Sequence, residues 1–182
     1  MINKLIIFFF IISTLSIFNV HSSDQINFDV TEIEILDNGN KIIGKKRGTI
    51  KTNNGITIEA DNFEFDKIKN ILQANGNVTI KDEINNFDFS SQNVLYKKNE
   101  ERIEIQGKAK VLFDSIYKFN TQDIVILRKE MIISSDVGAR ILDDLNKTKI
   151  EIGKFNYSFN EKILKGEKIF INTKYNQPFS DK

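Results

Sequence analysis

The chain has 182 residues, of which 40% are hydrophobic and 28% charged, a composition that supports one globular domain and excludes disorder along its whole length. Its 26 Lys+Arg and 25 Asp+Glu leave a formal charge of +1, so there is no electrostatic footprint for nucleic acid or an anionic membrane surface. Cysteine and tryptophan are absent, which excludes a disulfide framework, a thiolate metal site and a thiol nucleophile.

At the N-terminus Lys4 precedes an apolar run from Leu5 to Phe18, which ends in a small, polar stretch around Val20, Ser22 and Ser23. That order is the pattern of a secretory signal peptide, and the run is shorter than the roughly 20 residues of a membrane-spanning helix. Residues 1–22 are therefore expected to be a signal peptide and residues 23–182 the exported domain. The only histidine, His21, falls in the signal segment and is expected to be absent from the mature protein.

Beyond residue 25 apolar residues alternate with polar ones: Ile56 and Ile58, Phe63 and Phe65, Val78 and Ile80, Phe87 and Phe89, Val94 and Tyr96, Ile103 and Ile105, Val111 and Phe113. The pattern continues through Tyr117 and Phe119, Ile124 and Ile126, Ile150 and Ile152, then Phe155, Tyr157 and Phe159. A period of two puts one set of side chains on a buried face and the other in solvent, and Ile, Phe, Val, Thr and Tyr favour strands. Only residues 139–147 lack a clear period, and the single proline, Pro178, stands beyond the pattern.

The alternation changes phase at Ala60-Asp61-Asn62, Ser90-Ser91-Gln92-Asn93, Asn120-Thr121-Gln122-Asp123 and Gly153-Lys154, each of which reads as a bulge or corner. The first apolar residues after these corners, Phe63, Val94, Ile124 and Phe155, are 31, 30 and 31 residues apart by subtraction, so the chain is an internal repeat. Gly76, Gly107, Gly138 and Gly166 lie between the corners, where the chain is expected to reverse between strands. A unit of about 30 residues with one apolar face cannot bury that face alone, so successive units must stack around a shared interior. The predicted architecture is all-β: an elongated, folded-over antiparallel sheet with two facing layers.

No residue pattern points to catalysis or to a metal. The acidic pairs Asp82-Glu83, Glu100-Glu101 and Asp143-Asp144 read as solvated turns, and Ser90-Ser91 and Ser134-Ser135 as bends without a partner base. Lys45-Lys46-Arg47 reads as a solvated hairpin turn, or as a cation cluster able to meet phosphates. The glycosylation-like sequons at Asn77, Asn146 and Asn156 are assigned no function.

From Ile26 to Phe113 the chain resembles the OstA-like domain shared by LptA and the N-terminal periplasmic part of LptD. The resemblance rests on Asn38-Gly39-Asn40, Gly48-Thr49-Ile50, the stretch Gly55-Ile56-Thr57-Ile58-Glu59-Ala60-Asp61, and Ala74-Asn75-Gly76-Asn77-Val78. It implies an open β-jellyroll whose apolar interior receives the acyl chains of lipopolysaccharide, in the periplasm and in association with the outer membrane. It also implies end-to-end partners of the same OstA-like kind, joined through edge strands, and a possible outer-membrane barrel partner. Long Asn-rich connections such as Asp82-Glu83-Ile84-Asn85-Asn86 look more like the LptD domain, whereas the length is closer to LptA; both forms stay open.

The expected lipid-binding groove is lined by Phe63, Phe65, Phe87, Phe89, Val94, Tyr96, Val111, Phe113, Phe119, Ile124, Ile126, Phe155 and Tyr157. No catalytic residue, metal or cofactor is expected, and the chain is read as a carrier, not an enzyme. Two other readings compete with the conduit: a structural or adhesive exported β-repeat protein with a closed core, and a small outer-membrane β-barrel.

Overall fold

The structure is a computed structural model and describes residues 26–113 and 115–173. The expected signal segment, His21 and Pro178 lie outside the described residues. The strands in chain order are β1 (Ile26–Leu36), β2 (Lys41–Thr52), β3 (Ile56–Ala60), β4 (Asn62–Asp66), β5 (Ile71–Asp82), β6 (Phe87–Lys97) and β7 (Arg102–Phe113). They continue as β8 (Tyr117–Leu127), β9 (Ile132–Ser135), β10 (Ala139–Asp143), β11 (Thr148–Ile152), β12 (Lys154–Ser158), β13 (Ile163–Glu167) and β14 (Phe170–Thr173). The described helix is limited to two 3-10 turns, Asp37–Gly39 and Lys98–Glu100, so no described helix is long and apolar enough to cross a membrane.

All strand pairs are antiparallel, and the long strands each serve two ladders. In β2, for example, Lys41–Gly44 pairs with β4 while Gly48–Lys51 pairs with β3. The sheet is thereby folded into two layers. Layer one runs β1-β2-β3-β5-β6-β7-β8-β10-β11-β14, and layer two runs β1-β2-β4-β5-β6-β7-β8-β9-β12-β13. Strands β1, β2, β5, β6, β7 and β8 pass whole from one layer to the other; elsewhere the chain breaks at the fold, as between Ala60 and Asn62. This is the folded-over two-layer sheet that the alternation predicts.

The corners form a line along one side of the molecule. Register shifts fall at Asn75/Val78, Ser91/Asn93 and Ile105/Lys108, where one strand needs an extra residue to turn from one layer into the other. Gly76, Gly107 and Gly138 were expected at reversals, and they lie instead on this corner line, with Gly166 beside it in β13. The misreading has a simple cause: a corner and a reversal both demand φ above zero, and both recruit glycine. At Gly76 φ is +78°, and an added Cβ would lie 2.6 Å from Asp61 Oδ2. The repeat of 30 to 31 residues is therefore two corner-bearing passes rather than one.

Polar groups on the corner line replace interrupted ladder bonds. Asp61 N donates to Gly76 O at 2.9 Å, Arg47 N to Asp61 O at 2.9 Å, Ser91 Oγ to Lys108 O at 3.0 Å and Thr121 Oγ1 to Gly138 O at 2.6 Å. Gly107 N donates to Asp123 Oδ1 at 2.7 Å. The Ala-Asp and Gly-Asn-Val pieces that carry the family resemblance meet here, at adjacent corners. The serine pairs likewise belong to strands, with Ser91 and Ser135 tied to backbone carbonyls as corner braces.

Residues 139–147 hold β10 and a reversal. Ile141 and Leu142 are both buried in succession, which removes the period-two signal there. Asp143 accepts hydrogen bonds from the Leu145 and Asn146 amides at 3.0 Å each and so caps the reversal, in line with the solvated-turn reading.

Candidate functional site

The two layers enclose one apolar interior. Of the expected groove residues, Phe63, Phe65, Phe87, Phe89, Val94, Tyr96, Val111, Phe119, Ile124, Ile126 and Phe155 belong to a single buried cluster, and Phe113 and Tyr157 pack against it half-buried. The outward neighbours Asp88, Lys110 and Lys118 are exposed, so the predicted phase is correct on both faces. Burial follows from geometry: the corners reverse the sheet while keeping the same side-chain set inward. The middle of this interior is closely packed, with Tyr96 and Ile103 both at 0% exposure.

Aromatic rings crowd one part of the interior. Phe159 stands 4.5 Å from Phe87, 4.2 Å from Phe113 and 4.6 Å from Tyr157 between ring centroids, while Phe119 lies 5.9 Å from Tyr157 and 6.2 Å from Phe155. Phe159 thus joins layer one to the end of β12 in layer two and is the hub of the group. Near the other end Phe28 and Phe65 meet across the layers at 6.0 Å.

Opposite the corner line the reversals form two rows of turns, one for each layer, and the seam between the rows is the mouth of the fold. In layer two the row is stitched by a recurrent bond. Lys67 N donates to Asn40 O at 2.8 Å, Lys98 N to Asn70 O at 3.1 Å, Arg128 N to Glu101 O at 3.0 Å and Phe159 N to Met131 O at 2.9 Å. These four donors are 31, 30 and 31 residues apart, each four positions after Phe63, Val94, Ile124 and Phe155.

A polar network crosses the mouth. Arg128, in the layer-two row, donates from Nε to Asp82 Oδ2 at 2.6 Å and from Nη2 to Asn54 O at 3.0 Å, both in the layer-one row, and its Nη1 pairs with Glu101. Asn54 Nδ2 returns the connection to Tyr96 Oη at 2.7 Å and Glu101 Oε1 at 2.6 Å. Arg128 is 6% and Asp82 1% exposed, so this ion pair is buried. Burial alone would weaken the guanidinium's hold on its proton, but the Asp82 hydrogen bond and the charges of Asp82 and Glu101 outweigh it and raise the pKa. Burial pushes the Tyr96 hydroxyl up to about 12, opposed by its Asn54 hydrogen bond and reinforced by the Glu101 charge.

Several sequence expectations are corrected by this geometry. Asp82 is not a solvated turn residue: it ends β5 in phase with Val78 and Ile80, so its carboxylate points inward. Glu101 is also drawn into the mouth, at φ 50° in its reversal. Arg128, Asn54 and Phe159 were missed as candidates. The signal for Arg128 lay in the repeat itself, where Lys67, Lys98 and Arg128 place a basic residue at one register. The Lys45-Lys46-Arg47 cluster is no hairpin turn; it lies inside β2 at a corner, away from the mouth, with Lys45 paired to Glu34 at 2.9 Å, Lys46 to Glu32, and Arg47 to Asp61 at 3.2 Å.

Among the described residues there is no histidine and no group of acidic, histidine or cysteine side chains able to hold a metal ion. β1 pairs only with β2 and β14 only with β11 among the described residues, so the described ladder does not close on itself. The apolar set faces inward and the charged set outward, the reverse of a membrane barrel's lipid-facing wall.

No protein-family profile matches the chain, and no curated protein matches it. Among solved structures, a crystal structure from Pseudomonas aeruginosa is similar to 85% of this chain over 96% of its own length, at 12% identity and a TM-score of 0.34. That protein is LptH, described as the LptA-homologous periplasmic component of the conserved lipopolysaccharide transport device.

Proposed function

We propose that this protein is a periplasmic, non-enzymatic carrier that shields the acyl chains of lipopolysaccharide between its two sheet layers and passes them along a row of similar domains toward the outer membrane. The observation that carries the proposal is the asymmetry of the fold's two long sides. One side is a covalent corner line, continuous through β1, β2 and β5–β8; the other is a seam held by side chains and opening on an uninterrupted apolar interior. Such a clamshell can admit a long apolar chain without breaking a strand ladder. Burying an acyl chain of a dozen carbons contributes about 10 kcal/mol at roughly 0.8 kcal/mol per methylene, so affinity needs few polar contacts.

The ends supply the support for partners. Ile33 and Ile35 of β1 and Phe170 and Ile171 of β14 are exposed, and β1, β13 and β14 each have one unpaired edge among the described residues. An edge with an adjoining apolar face is a template for adding another sheet, here the edge of a related OstA-like domain. The identity of the lipid and the order of transport rest on the resemblance of the corner motifs.

The test is lipid extraction from protein purified from its own envelope. Mass spectrometry is expected to find lipopolysaccharide or lipid A in stoichiometric amount. Protein that folds and yields no acyl lipid would favour instead the closed-core structural repeat, the second reading supported by the complete burial of Tyr96 and Ile103.

A further inference from the structure

We propose that the Arg128–Asp82–Glu101–Asn54–Tyr96 network is a releasable latch, and that acyl chains reach the interior sideways, between the two rows of turns, when Arg128 parts from Asp82 and Asn54. The inference rests on the lipid-carrier reading and adds the route and the gate.

The network occupies the mouth between two apolar contacts across the layers, the Phe28–Phe65 pair on one flank and the Phe159-centred ring group on the other. Its members come from both rows: Asn54 from the turn after β2 and Asp82 from the end of β5, Glu101 and Arg128 from the turns after β6 and β8. Thr52 holds the Asn54 loop by accepting from Ile56 N at 3.1 Å and by a hydrogen bond to the Asn54 side chain. Asp82 is fixed from its own side, where it accepts from Asn85 N at 3.1 Å and from Asn85 Nδ2 at 2.9 Å. Each row is therefore braced by its own hydrogen bonds, and Arg128 and Asn54 carry hydrogen bonds from one row to the other.

Stability alone does not explain a buried ion pair at this place. Desolvating two charges offsets most of their attraction, and apolar residues of similar size are often as stabilising or more so. A polar seam differs from an apolar one in its open state. Arg128, Asp82 and Glu101 regain water on parting, whereas an apolar seam would expose surface with no compensation. Ion pairing at the mouth thus gives a closed state that is specific in register and can open reversibly, while the corners on the opposite side act as the hinge.

The absence of native cysteine makes the test clean. Cysteines introduced as N54C/E101C are joined by a short, cleavable thiol-to-thiol linker in the full chain, and loading is followed by stopped-flow with cis-parinaric acid, whose emission rises in an apolar site. The linked form is expected to load at least tenfold more slowly than wild type and to recover when the linker is cut. A second variant, R128M/D82L, replaces the latch by an apolar seam; it is expected to keep its β-sheet circular dichroism and also to load about tenfold more slowly. Loading of the linked form at the wild-type rate would overturn the latch and leave the carrier reading standing, with acyl chains arriving through the ends. If wild type gives no emission rise, the carrier reading fails and the latch with it.

Discussion

The middle of the sheet and its two ends are written in the same alternating code, yet only the middle is sealed. Ile103 and Ile126 in the central passes are 0% and 1% exposed, whereas Ile35 in β1 and Ile171 in β14 are 61% and 63% exposed. Alternation decides which side chains share a face; burial also requires an opposite layer and a neighbouring strand. The central strands have both, because each runs through a corner and pairs on two sides. Toward the C-terminus the passes split into short arms, and β13 and β14 are almost wholly exposed. A repeat therefore completes its own core in the middle and leaves at each end a face that no described strand covers.

The sharpest break of this comparison is to cut the same kind of side chain from both regions. Phe89→Ala removes a ring buried between the layers and is expected to cost about 3–5 kcal/mol in urea unfolding, while Ile171→Ala should stay within about 0.5 kcal/mol. Equal losses would mean that the end is as tightly packed as the middle. Arg128→Ala belongs with the large effects. It leaves Asp82 buried without its cation, with an expected loss of about 3–5 kcal/mol, and R128M/D82L should recover most of it.

A smaller effect comes from alkali. Tyr96 titrates near 12 in the folded protein against about 10 in an unfolded chain, so the folded state keeps its proton longer. The stability this provides is complete below pH 10, falls as pH rises from 10 to 12, and amounts to about 3 kcal/mol. Tyr96→Phe is expected to lower the slope of stability against pH in that window, read from urea midpoints at matched pH. An unchanged slope would show that the hydroxyl is not held in a closed mouth.

Least costly to the fold is a proline in the exposed end strand β14, whereas one at Phe28 also removes the ring that meets Phe65. Phe28→Pro and Ile171→Pro each take a backbone donor and the strand's regular geometry from an end strand and should lower end-to-end association in sedimentation. Unchanged oligomer size in both variants would contradict partner addition at the edges.

Much of the fold was legible because it is a matter of phase. Phe87 and Phe89, or Ile124 and Ile126, declare their face two residues at a time, and Ala60-Asp61-Asn62 marks where the phase slips. What escaped was the distinction between corner and reversal, since Gly76 at a corner and Gly55 at a reversal obey the same left-handed requirement, φ +78° and +81°. The latch escaped for a different reason. Arg128 and Asp82 stand 46 residues apart, and their meeting depends on how the two layers lie over one another, which no local pattern records. Asp82 nevertheless carries a local sign, an acid in the inward phase of β5, although its residue type and the following Glu83 suggest a solvated turn.

The central claim is that the inward face carries acyl chains. A photo-crosslinking residue at Phe89, Val111 or Phe119, compared in cells with one at the exposed neighbours Asp88, Lys110 or Lys118, tests it most directly. The account predicts lipopolysaccharide adducts at the three inward sites and none at the three outward sites. Equally poor capture at all six positions, with the fold intact, would contradict it and make the interior an ordinary closed core.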